Sequence, residues 1–214
     1  MRAHLAVAAA TLLVLAAAPA ADLWLSALFF DGARFPLAGA PVAEAVRQAI
    51  WWLAILLFLA SAALAPLAAL RGPILMPARE WAWGALVFLL GPGIAVNGLL
   101  KELWGRARPR AVETFGGQAE FTPWWRPAAE CASNCSFVSG EASAGAAIAV
   151  ILWAWLSPRF PGAPLAAALL SLRAAAGLLR LAKGAHFASD VVMAWALTAI
   201  LAIALRRAMG LAAR

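Results

Sequence analysis

Charge is scarce in this sequence: Asp, Glu, Lys and Arg together make up 13% of its 214 residues, against 65% hydrophobic residues. An ordinary soluble domain is about 25% charged and about half apolar. A chain of this length cannot hide such an excess in one core, because a small fold must show polar surface. Lipid is therefore the solvent the composition calls for. Histidine and cysteine are also scarce. His4 and His186 are the only imidazoles and Cys131 and Cys135 the only thiols, too few in one place for a structural zinc site of about four ligands. The cysteines share one polar loop. A disulfide in an oxidising compartment and a pair of free thiols both fit that spacing.

The charge that is present is mostly positive, with a formal net charge of +7 and a pI near 11.2. Nucleic-acid binding would need those cations gathered on the face of a soluble fold. Here they stand between long apolar runs, which excludes it.

A membrane-spanning helix takes about 20 mostly apolar residues. Six such stretches occur, His4–Ala21, Ala49–Leu70, Trp81–Leu100, Ala142–Leu156, Pro164–Leu179 and Val191–Leu205. With no long linker or repeat between them, residues 1–214 read as a single all-α domain, a polytopic bundle of about six transmembrane helices. The first stretch, ending Ala-Ala-Pro-Ala-Ala before Asp22, fits either a retained helix or a cleaved signal peptide. Basic residues of short loops set the orientation. They place Arg71, Arg79, Arg159, Arg206, Arg207 and Arg214 in the cytoplasm, and the Lys101–Gly140 loop and Arg180–Asp190 turn outside. Arg173 lies within an apolar stretch, where a cation needs a partner in the bundle.

Three polar clusters fall at the outer ends of these helices. One is Lys101-Glu-Leu-Trp-Gly-Arg106-Ala-Arg108-Pro109-Arg110, the second Asn134-Cys-Ser-Phe-Val-Ser139-Gly140-Glu141, the third Arg180-Leu-Ala-Lys183-Gly-Ala-His186-Phe-Ala-Ser-Asp190. A phosphate group accounts for their convergence. Arg108 and Arg180 offer planar forks to its oxygens and Lys101 a compact charge. Ser139 and Gly140 open a helix whose free N–H groups and dipole favour an anion. His186 is the one candidate nucleophile, and Asp190, one helical turn on, is placed to accept from one ring nitrogen so that the other is free to attack.

Six residues separate Lys101 from Arg108, five separate Arg180 from His186 and three separate His186 from Asp190. With the Ser139-Gly140 element, this spacing resembles the type 2 phosphatidic acid phosphatase superfamily, which also holds vanadium-dependent haloperoxidases. The resemblance implies an all-helical fold, a lipid phosphate as substrate, no metal or other cofactor, and a phosphohistidine intermediate on His186. It further implies phosphate contacts from Lys101, Arg108, Ser139, Gly140 and Arg180, and orientation of His186 by Asp190. A haloperoxidase fits least, since spanning helices suit a lipid better than a halide.

Two positions depart from the family pattern. Leu179 stands where a serine usually precedes the arginine, and Glu141 replaces a histidine that would protonate the leaving group. Glu141 does that work only if burial keeps it protonated. Beside Arg173, Arg180 or Lys183 it would ionise and pair instead. Phe115–Trp125 and Asn134–Phe137 are similar to a bacterial branch that includes lipid A phosphatases. The implied enzyme sits in a bacterial inner membrane with its site facing the periplasm. Lipid A phosphate, phosphatidylglycerol phosphate and an isoprenyl diphosphate are the candidate substrates. A phosphotransferase with the same site, and a non-catalytic phosphate-binding membrane protein or transporter, are the competing readings.

Overall fold

The computed structural model describes residues 2–211; Arg214, counted above among the cytoplasmic cations, lies outside them. Each of the six apolar stretches is helical, the first of them running across the break between two helices. The helices are α1 (Arg2–Ala17), α3 (Pro41–Arg71), α4 (Ala78–Leu103), α5 (Gly140–Leu156), α6 (Gly162–Ala182) and α7 (Ala188–Ala208), with the short α2 (Ala20–Ala27) between α1 and α3. By length and composition, α3, α4, α6 and α7 can each cross a membrane. The first stretch is not one straight span: α1 and α2 meet at 103°, with Pro19 just ahead of α2, where its ring and missing N–H oppose continuation of α1. α1 packs along α7. Leu13, Trp52, Leu56, Leu59 and Ile200 are exposed, as side chains facing lipid would be.

α5 is short for a span at 17 residues, and most of it is buried between α3, α4, α6 and α7. A helix wrapped on all sides has no polar face, hence its run of Ala and Ile. Close approach is built in at Gly177 of α6, where an added Cβ would stand 2.6 Å from Val191 and 2.7 Å from Trp195 of α7. Small residues at such contacts bring helix backbones together, which is how helices gain packing in lipid.

Three apolar layers stack along the bundle. Trp81, Trp83, Val87, Ile148, Ile151 and Trp155 fill one half. Val96, Phe137, Val138, Ala142, Leu181 and Val191 form the next, and Phe35, Val112, Phe115 and Phe187 close the loop end. α4 widens into π-helical turns over Leu89–Leu100. Pro92 lies within them and cannot donate a backbone bond; Asn97 Nδ2 donates to the Pro92 carbonyl at 2.6 Å. Such turns recur near functional sites, and this stretch delivers Lys101 and sets Asn97 against α5.

The helices alternate in direction. The C-termini of α4 and α6 and the N-termini of α3, α5 and α7 therefore share one end of the bundle. Arg71, Arg79, Arg159, Arg206 and Arg207 belong to the other. There Arg206 forks onto Glu80 at 2.8 and 3.0 Å.

Candidate active site

The end that carries the three clusters is built around a buried loop. Backbone bonds tie that loop to the end of α4: Cys135 N–H donates to the Lys101 carbonyl at 3.1 Å and Ser136 N–H to the Arg106 carbonyl at 2.8 Å. Cys131 and Cys135 form a disulfide that closes the turn just before. Asn134, in the left-handed region at φ 49°, faces back to the cations. Its Oδ1 accepts from Arg108 at 2.9 Å and from Lys101 at 3.4 Å. Its carbonyl accepts from Arg108 at 2.7 Å. One asparagine thus aligns two of the three cations picked out in the sequence.

Ser139 caps α5, its Oγ accepting from Ala142 N–H at 3.3 Å, as small polar residues do at this position. Its hydroxyl proton is left to donate. Gly140 leaves room for Asn97: an added Cβ would lie 2.7 Å from its Oδ1 and would displace that side chain. The first turn of α5 carries backbone N–H groups without helical partners, and Ser139 satisfies that of Ala142.

His186 sits in the turn between α6 and α7 with 0% of its surface exposed. Its Nδ1 lies 2.6 Å from the Ser136 carbonyl. A carbonyl only accepts, so the proton is on Nδ1 and Nε2 carries the lone pair. Among the described residues Nε2 has no hydrogen-bond partner, and neither has the buried Nε of Arg180. Burial, followed by the charges of Arg180, Lys101 and Arg108, holds the imidazole well below its ordinary pKa, against a smaller opposing effect of the Ser136 bond. His186 is therefore neutral.

Asp190 does not make the expected bond to the ring. Its Oδ2 is 3.9 Å from Nδ1, beyond hydrogen-bond reach, because Ser136 occupies the space with both its carbonyl and its hydroxyl. The Ser136 Oγ donates to Asp190 Oδ2 at 2.5 Å and the Phe187 N–H at 2.9 Å. Asp190 so holds both the carbonyl that orients His186 and the backbone beside it. Its Oδ1 accepts from Arg106 at 2.5 Å. Arg106 also binds Asp22 of α2 at 2.9 Å. Asp22 in turn accepts from the Ser189 N–H at 2.9 Å and from its hydroxyl, and so caps α7. Arg106, Asp22, Ser189 and Asp190 are all at most 1% exposed.

Glu141 lies 3.4 Å from Arg180 and 3.5 Å from Arg47. The other two partners expected for it are engaged elsewhere: Lys183 binds Glu44 at 2.7 Å, and the Arg173 guanidinium lies 4.4 Å from the centre of the Trp195 ring. Asn134, Ser136, Arg106, Asp22, Glu44 and Arg47 all bear on the site without having been singled out in the sequence. Arg106 had a visible sign, as one of four cations in the first cluster. Asp22, at the foot of an apolar stretch, had none.

The PAP2 superfamily matches residues 81–213. The chain belongs to that superfamily. Among curated proteins it is 44% identical over 119 residues to a lipid A 4'-phosphatase of Rhizobium etli, which covers 55% of this chain and 45% of that one. It is 47% identical over 109 residues to a lipid A 4'-phosphatase of Rhizobium leguminosarum, covering 50% and 45% of the two chains. A third, from Francisella tularensis subsp. novicida, is 40% identical over 118 residues, covering 50% and 48%. The chain thus spans about half the length of these curated relatives. No solved structure matches it.

Proposed function

We propose that this PAP2 superfamily member is a membrane lipid phosphatase with His186 Nε2 as its nucleophile. One observation carries the reading. Two buried atoms of opposite character, the lone pair of His186 Nε2 and the N–H of Arg180 Nε, lack partners in a pocket of cations. Buried polar groups are almost always bonded. A phosphate would engage both, with an oxygen on Arg180 and phosphorus opposite Nε2.

The Nε2 lone pair then forms an N–P bond as the P–O bond to the lipid breaks. The lipid alkoxide leaves and takes a proton. Water later attacks the phosphohistidine, releases inorganic phosphate and restores the imidazole. Lys101, Arg108 and Arg180 meet the charge that spreads over the phosphoryl oxygens, the main catalytic demand of such a transfer. Asp190 acts through Ser136, keeping Nδ1 protonated and Nε2 free. Glu141, between Arg180 and Arg47, serves as a carboxylate that positions Arg180, and the leaving group takes its proton from water at the headgroup level.

The substrate we propose is a lipid A-type phosphate, in keeping with the relatives' name and with Trp124 and Trp125 near the site's rim, where amphipathic rings suit a membrane surface. The site would face the periplasm of a bacterial inner membrane. Phosphate release by the purified protein from lipid A, phosphatidylglycerol phosphate and an isoprenyl diphosphate, with and without EDTA, tests this. Release from lipid A that survives chelation is expected. Loss with EDTA and recovery with magnesium would refute the cation-only site, and transfer to a lipid acceptor without phosphate release would make the protein a phosphotransferase. After mild reduction, a membrane-impermeant thiol reagent should label Cys131 or Cys135 in spheroplasts; labelling only after lysis would invert the topology.

A further inference from the structure

The cations at the active end fall into two groups. Arg47, Lys183, Arg180 and Arg106 each have a carboxylate within 3.5 Å, and Lys101 and Arg108 share Asn134. Arg34 and Arg110 differ, as does Arg126, which does not line the cleft that those two share. Arg34 and Arg110 are both exposed, and neither guanidinium makes an ion pair or hydrogen bond among the described residues. Asp31 is near enough to feel the charge of Arg34, but its Oδ1 is taken by the backbone N–H groups of Ala33 and Arg34 at 2.9 and 2.8 Å.

These two arginines line one cleft of about 560 Å³, with Phe35, Pro36, Gly39 and Gly116 among its other walls. The Phe35 and Phe115 rings pack edge to face, 5.3 Å between centres, and give the cleft a rigid floor. It adjoins the phosphate site through two links. The Arg110 N–H donates to the Gly184 carbonyl at 3.1 Å, in the turn that presents His186, and Phe35 sits against Gly184. Arg110 also follows Arg108 by two residues, and its charge weighs on Arg108. Two unpaired guanidiniums on a concave wall focus a positive potential there, and their planar forks match phosphate or carboxylate oxygens.

We propose that this cleft receives a second anionic group, phosphate or carboxylate, carried on the substrate headgroup away from the phosphate that His186 attacks. The inference rests on the phosphatase reading and specifies its substrate class: lipids with two separated anions on the headgroup are preferred over lipids with one.

The test uses two glycolipids with the same acyl chains and one or two phosphates, assayed in neutral detergent with wild-type protein and the Arg34→Gln/Arg110→Gln double variant. For the two-phosphate lipid, KM should rise about tenfold, the loss of roughly one charge-assisted contact, with kcat unchanged. For the one-phosphate lipid neither constant should move. Equal effects on both lipids, or none on either, would overturn the proposal. So would an effect that appears only when anionic bilayer lipids are added, whichever substrate is used, since that marks an anchor to neighbouring lipids. Binding of the two-phosphate lipid to the His186→Ala protein, with and without the arginine pair, reads the cleft independently of turnover. A tenfold loss there with no wild-type phosphate release would keep the cleft and remove the phosphatase reading.

Discussion

Arg106 and Asp190 meet at 2.5 Å with neither side chain exposed to solvent. Arg106 reaches from the loop after α4, Asp190 from the first turn of α7, and Asp22 completes the group from α2. Removing one member of a buried charge group strands the others and costs about 3–5 kcal/mol. Arg106→Leu, which leaves two carboxylates facing each other, is expected to lose that much stability in detergent unfolding. Asp22→Asn keeps the shape and should lose less than Asp22→Ala. An Arg106→Leu protein as stable as wild type would show that the group carries no structural weight.

The neutral state of His186 gives a pH dependence of known sign. Its folded pKa lies below the ordinary 6.5, so the unfolded chain binds the proton more readily. Stability tied to this group is whole above pH 6.5 and is lost as pH falls below it toward the folded pKa. The only other imidazole in the sequence is His4, so ring NMR of histidine-labelled protein has two signals to follow. The His186 signal, identified by its loss in His186→Ala, should show no protonation at pH 6.5. Titration at or above 6.5 would contradict the buried, cation-crowded site.

In the proposed mechanism Glu141 decides how much the leaving group matters. Held between Arg180 and Arg47, it is an anion with no proton to give. A lipid alkoxide then leaves less easily than a phosphate, whose second pKa is about 6. Turnover should favour diphosphate over monophosphate lipids of the same chain, and Glu141→Gln should cost only modestly on both. A loss of about 100-fold confined to monoesters would instead make Glu141 a general acid.

Much of the fold was legible because lipid demands long apolar runs, and every run is helical. The bend after α1 and the π-helical turns of α4 were not, since hydropathy is the same in straight, bent and widened helices. The Lys101, Arg108, Arg180 and His186 cluster could be read from spacing once helix direction was counted. The partner of His186 could not. It is a backbone carbonyl, which every residue owns, and only the path of the 134–139 loop brings that of Ser136 to the ring. Asp22 escaped notice for a related reason: its partners lie 84 and 167 positions away. Arg173 needed a partner in the bundle, and hydropathy could not say that the face of Trp195 supplies it.

The central claim is a covalent bond from His186 Nε2 to phosphorus. The measurement that tests it most directly is rapid quenching of the purified protein with lipid carrying radiolabelled phosphate, followed by peptide mapping of the label. Acid-labile, base-stable label on the peptide containing His186, absent in His186→Ala together with essentially all turnover, is the predicted result. Wild-type turnover by His186→Ala, or label on any other side chain, would contradict it.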